Sequence, residues 1–139
     1  MRTGIGLDIH AFAEWRKLFL GGVQIEHEKG LMGHSDADVV LHAIADALLG
    51  GAALGDIGRH FPDTDPQYKD ISSLTLLERT ARLIADEGWQ VGNVDVVIAC
   101  EKPKIASHIG NMRRAIAGCL GVDEGRISVR LPPPKALGI

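Results

Sequence analysis

Apolar and polar positions alternate along residues 3–10, TGIGLDIH, where Ile5, Leu7 and Ile9 interleave with Gly6, Asp8 and His10. This period of two predicts a strand with one buried face. KLFLGGVQI, 17–25, predicts a second strand, bulged or bent at Gly21-Gly22. The period lengthens to a helical one in HSDADVVLHAIADALLG, 34–50, with Ser35 as the expected N-cap, Asp38 three positions on and Gly50 at the exit. Residues 55–70, GDIGRHFPDTDPQYKD, carry two prolines with Asp56, Asp63, Asp65 and Asp70, and predict a long polar loop of the kind that serves function or is disordered. Helical spacing returns in SSLTLLERTARLIADEG, which ends at Gly88. WQVGNVDVVIAC, 89–100, predicts a strand, EKPKIAS a connection, HIGNMRRAIAGCLG a helix and ISVRL, 127–131, a last strand.

Strands alternating with helices predict an α+β fold, an α/β sandwich in which helices cover one face of a mixed β-sheet. The other face, carrying the Val and Ile of VDVVIA, is then left bare and favours packing against further subunits. A chain of 139 residues is the size of a single domain spanning 1–139. Its net charge of −3 lacks the basic footprint of a nucleic-acid partner, although one small phosphate ligand is compatible with it. Cys100 and Cys119 have no metal-type spacing and predict buried, reduced thiols. No apolar run approaches the ~20 residues of a membrane span, and the N-terminus has no signal-peptide pattern, so the expected location is cytoplasmic, without membrane association.

Asp8 and His10 lie two apart, so a strand would present both side chains on one face as half of a ligand set. His42, on the predicted helix, is a third ligand of the right kind. One carboxylate, two imidazoles and an open position are the pattern of a catalytic zinc. The alternative is a core histidine beside a turn carboxylate. Asp38 and Asp46, four residues to either side of His42, are competing ligands or acceptors that orient its ring. His34 and Ser35 stand at the helix mouth, where an anion is favoured, and Ser35 alternatively serves only as a cap. The carboxylates of the 55–70 loop suit the hydroxyls of a polyol, and Lys102 and Lys104 flank Pro103 where they could meet phosphate.

Taken together, GLDIHAF, GHSDADVVLHAIADALLGGAALGDIGRHFPDTDPQYK and NVDVVIACEKPKIASHIGNMR closely resemble the 2-C-methyl-D-erythritol 2,4-cyclodiphosphate synthases of non-mevalonate isoprenoid biosynthesis, from residue 1 to about residue 130. The resemblance implies a phosphorus-oxygen lyase, a homotrimer with active sites between subunits, and sheets packed around the three-fold axis. It implies Zn²⁺ on Asp8, His10 and His42. Substrate contacts would fall on Asp8, Ile9, His10, His34, Ser35, Asp56, Ile57, Gly58, Phe61, Pro62, Asp63, Thr64 and Asp65, with His34 assisting the transition state. The cytidine end of a cytidine-diphosphate substrate would meet Cys100, Glu101, Lys102, Pro103, Lys104, Ile105 and Ala106. In the implied reaction the 2-phosphate of 4-diphosphocytidyl-2-C-methyl-D-erythritol 2-phosphate attacks the β-phosphorus and CMP leaves.

The resemblance ends at RLPPPKALGI. Where the family has Ala-Thr-Thr-Thr-Glu, with threonines for the diphosphate and a glutamate for Mg²⁺, this chain has Leu131, Pro132, Pro133, Pro134 and Lys135. Proline offers no hydroxyl and no N–H, and Lys135 reverses the charge at the Mg²⁺ position. The family's last strand is expected to be missing. A metal-binding remnant with impaired catalysis is therefore the alternative reading, and an unrelated zinc hydrolase a third.

Overall fold

In the computed structural model, which describes residues 1–33 and 35–133, the predicted helical patterns become α1 (Val39–Gly51), α3 (Ser73–Asp86) and α4 (Ile109–Leu120). α1 packs on α3 and α3 on α4. Leu41 and Ile44 of α1 meet Leu77 of α3 and Met112 and Ile116 of α4 in one buried cluster, with Leu49 of α1 and Ile84 of α3 also buried. Burying each such side chain stabilises the fold by about 1.5–3 kcal/mol. Gly121 closes α4 in the left-handed conformation at φ 67°, which a residue without Cβ adopts at no steric cost.

The strands are shorter than the pattern predicts and form three two-stranded sheets among the described residues, not one mixed sheet. β1 (Phe12–Glu14) pairs antiparallel with β4 (Lys29–Leu31). β2 (Leu18–Leu20) pairs antiparallel with β3 (Val23–Ile25) around Gly21 and Gly22. Both glycines have positive φ, 61° and 80°, so the pair is the turn of a tight hairpin and not a bulge within one strand. β5 (Val94–Val97) runs parallel to β6 (Ile127–Arg130), and Arg130 forks onto Asp95 at 3.1 and 2.9 Å, holding that exposed carboxyl below its usual range.

Asp38, not Ser35, caps α1. Its carboxylate accepts from Leu41 N at 3.1 Å and also from Gly21 N at 3.0 Å and Gly22 N at 2.7 Å, joining the hairpin turn to the helix start. Ser35 instead accepts from Ala37 N at 3.2 Å. Burial pushes the Asp38 carboxyl above its usual range, against the lowering effect of these three N–H groups and with Asp36 adding to the rise.

Residues 3–10 form no ladder, and their alternation is inverted relative to the expectation. Ile5, Leu7 and Ile9 are 91, 82 and 82% exposed, while Gly6, Asp8 and His10 turn inward. The cause is steric. An ideal Cβ on Gly4 or Gly6 would fall on the carbonyl oxygens of Ala47 and Ala43, so only glycine lets this backbone lie flat against α1. A groove of about 1350 Å³ is lined by this segment, α1 and β5, with Leu7, Ala43, Ile44 and Val96 among its lining residues. No helix among the described residues is long and apolar enough to cross a membrane.

Candidate functional site

The flat seating of the N-terminal segment on α1 brings three potential metal ligands together. His42 lies one turn into the helix, and Asp8 and His10 follow directly after Gly6. Asp8 Oδ2 is 3.0 Å from His10 Nε2 and 3.4 Å from His42 Nδ1, and the two rings meet edge to face with centroids 5.5 Å apart. One ligand atom from each residue lies within 4.8 Å of the others. Asp8 Oδ1 accepts from Ile9 N at 3.0 Å, which orients the carboxylate and leaves Oδ2 facing the rings. One hard oxygen and two borderline nitrogens, converging and partly shielded, fit a zinc-type ion with an open position.

Behind His42 lies a polar chain. Ser73 Oγ is 3.0 Å from His42 Nε2, and Ser35 Oγ is at 3.5 Å from the same nitrogen. Asp36 accepts from Ser73 N at 2.9 Å and from the Ser73 hydroxyl. Asp38 and Asp46, the expected orienting carboxylates, face elsewhere: Asp38 caps the helix, and Asp46 accepts from Ile57 N at 2.9 Å, fastening the next loop. The loop is more ordered than its composition suggests. Asp56 caps the short α2 (Ile57–His60) through Arg59 N, and Asp65 caps a 3-10 turn, Pro66–Tyr68, through Gln67 N. Phe61 is buried edge-on to Tyr68 at 5.5 Å, Ile57 and Pro62 are half-buried, and Gly58, Asp63 and Thr64 are exposed.

Cys100 donates to Lys102 O at 3.0 Å, and Ile105 anchors the connection in the core. Glu101, Lys102, Lys104 and Ala106 are exposed, with Pro103 half-buried. Asp8, His10, Cys100 and Lys102 border the same groove, whereas the 56–65 loop lies outside it. Both cysteines are free and half-buried, less enclosed than expected. Burial raises both thiols; Cys119 is pushed up to about 11, with Glu78 adding to the shift, so neither is a thiolate nucleophile at neutral pH. His34, Pro134 and Lys135 lie outside the described residues.

The family model described as the YgbB family matches residues 1–139. The chain belongs to the YgbB family. Eight curated relatives, 54–59% identical over 138 residues, carry the name 2-C-methyl-D-erythritol 2,4-cyclodiphosphate synthase. That of Chlorobium phaeobacteroides (strain BS1) is 59% identical over 99% of this chain and 87% of its own length. That of Chloroherpeton thalassium (strain ATCC 35110 / GB-78) is 58% identical over 99% of this chain and 88% of its own length. Among solved structures, the bifunctional IspDF of Campylobacter jejuni matches with TM-score 0.91 and 41% identity over 99% of this chain and 37% of that one. A 2C-methyl-D-erythritol-2,4-cyclodiphosphate synthase in its CDP-bound form matches with TM-score 0.90 and 33% identity, over 99% of this chain and 91% of that one.

In this YgbB chain the three residues expected to hold a metal lie together, and the polar side chains behind His42 are Ser73, Ser35 and Asp36, not Asp38 and Asp46. Sequence spacing has no signal for Ser73, which belongs to the start of another helix and reaches His42 only through tertiary packing.

Proposed function

We propose that this chain converts 4-diphosphocytidyl-2-C-methyl-D-erythritol 2-phosphate into 2-C-methyl-D-erythritol 2,4-cyclodiphosphate and CMP, as a phosphorus-oxygen lyase of the cytoplasm. The observation that carries this reading is the convergence of Asp8, His10 and His42 in a chain whose synthase-named relatives cover 99% of it. An oxygen of the 2-phosphate attacks the β-phosphorus, the new P–O bond closes the ring, and the bond to CMP breaks. No side chain becomes covalently linked, in keeping with the absence of a thiolate or an activated serine from the assembled set.

Asp8, His10 and His42 would hold zinc, which would supply positive charge to the phosphate oxygens. The chain's own contribution is chiefly positioning, which holds nucleophile and phosphorus in line. His34 and Ser35 bind phosphate, with His34 assisting the transition state. Ile9, Asp56, Ile57, Gly58 and the Phe61, Pro62, Asp63, Thr64 and Asp65 stretch hold the methylerythritol end, and Cys100 to Ala106 hold the cytidine. Magnesium would accompany the diphosphate without a carboxylate from position 135, which is lysine. The uninterrupted relation to synthases favours this reading over a catalytically impaired remnant.

The test is incubation of the zinc-loaded chain with the cytidylyl substrate and magnesium, followed by phosphorus NMR. CMP and the cyclic diphosphate should appear in equal amounts. A folded, zinc-loaded chain that releases no CMP would overturn the reading, and so would hydrolysis to open-chain phosphates.

The exposed Ile5, Leu7 and Ile9 supply an apolar face for a homotrimer. Leu7 makes little of the single chain's core, so Leu7→Lys should leave helicity intact while converting a sedimenting trimer to monomers. A wild-type chain that sediments as a monomer at micromolar concentration would exclude the assembly.

A further inference from the structure

We propose that Asp36 and Ser73 are positioning residues that fix the tautomer of His42, keeping its proton on Nε2 and its lone pair on Nδ1. The inference rests on the metal reading of Asp8, His10 and His42 for its purpose, but its geometry stands independently. Ser73 is fully buried at the first residue of α3, and its hydroxyl has one proton to give. Asp36 takes that proton in a hydrogen bond and, with its second oxygen, accepts from Ser73 N at 2.9 Å, so the carboxylate grips the serine at two points. Asp36 also accepts from Asp38 N at 3.1 Å, which ties it to the start of α1. With its proton committed, Ser73 Oγ presents only lone pairs to His42 Nε2 at 3.0 Å, and the ring nitrogen must be the donor.

The consequence appears at the other side of the ring. Nδ1 carries a lone pair and lies 3.4 Å from Asp8 Oδ2. Without Ser73 the preference would reverse, because an Nδ1–H would donate to the Asp8 carboxylate and the ring would hold its proton where the metal must bind. A carboxylate, a hydroxyl and an imidazole in series thus select the metal-binding tautomer before a cation arrives, as outer partners of metal-bound histidines do generally. Ser35 Oγ, at 3.5 Å from the same Nε2, is too distant to set the preference.

Two measurements test this. Long-range ¹H–¹⁵N correlation spectra of the zinc-free chain, at a pH where the ring is neutral, should show His42 protonated on Nε2, and Ser73→Ala should move the proton toward Nδ1. Zinc titration against a chromophoric chelator should show Ser73→Ala binding about 10–100-fold more weakly, with unchanged circular dichroism. If Ser73→Ala fails to fold, the wild-type spectrum still decides. A wild-type ring protonated on Nδ1 that nonetheless binds zinc tightly would overturn the positioning role alone. A chain with the Nε2–H tautomer that binds no zinc would overturn the metal reading and, with it, the purpose of the relay.

Discussion

Asp8→Ala should reduce CMP release by about a thousandfold or more and weaken zinc binding by at least about a hundredfold. The same Asp8 oxygen lies 3.0 Å from His10 Nε2 and 3.4 Å from His42 Nδ1, and it is the only anionic ligand atom of the three. Its loss leaves two neutral imidazoles to hold a dication, without the charge that offsets the ion's desolvation. A metal contribution of about 4 kcal/mol to a phosphoryl-transfer barrier corresponds to a factor of about a thousand. Chelator treatment of the wild-type chain should reproduce the loss of activity, and zinc should restore the wild type but not the variant. Helicity should be unchanged, since the only main-chain group the Asp8 side chain bonds among the described residues is the N–H of its exposed neighbour Ile9. An Asp8→Ala chain that keeps wild-type zinc affinity would remove Asp8 from the set.

Asp38→Ala should destabilise the fold strongly, by about 3–5 kcal/mol. Losing the helix cap accounts for about 1 kcal/mol. The Gly21 and Gly22 amides, left without their acceptor beneath the hairpin turn, add about 1–3 kcal/mol each, partly offset because a carboxylate no longer has to be buried. The melting midpoint should fall by about 10–20 °C.

The effect has a defined pH sign. Asp38 is shifted upward in the folded state, so between its ordinary value of 3.8 and the folded value the native chain binds more protons than the unfolded one. The Asp38 contribution is therefore fully present below 3.8 and diminishes as pH rises through the folded value. Paired thermal melts should show the gap between wild type and Asp38→Ala narrowing with rising pH across that window. A gap that widens would mean that the folded carboxyl lies below 3.8.

Helical spacing reads correctly where the apolar face meets another helix of the same chain, as Leu41, Leu77 and Ile116 do. It misreads the start of α1, because Ser35 and Asp38 are both good caps and the deciding bonds, from Gly21 and Gly22 to Asp38, come from a distant hairpin. The alternation at 3–10 is real but silent about which face turns inward. Isoleucine and leucine are outside and glycine inside because the neighbour on the inner side is a helix backbone, not a layer of side chains. Asp8 and His10 are legible from their spacing as half of a ligand set. The role of Ser73 is not legible, since its contact with His42 exists only after α1 and α3 have packed.

Gly4 and Gly6 act as a ruler for the proposed metal centre. By holding the N-terminal backbone at the smallest possible height above α1, they set the distance that the side chains of positions 8 and 10 must span to reach His42. A single methyl group at position 6 would collide with the Ala43 carbonyl and is expected to lift that backbone and spread Asp8, His10 and His42, although its nearest neighbours are none of the three. The spacing of the proposed ligands is thus written partly into two residues that have no side chain, and a search for metal-affinity determinants confined to Asp8, His10 and His42 would overlook them.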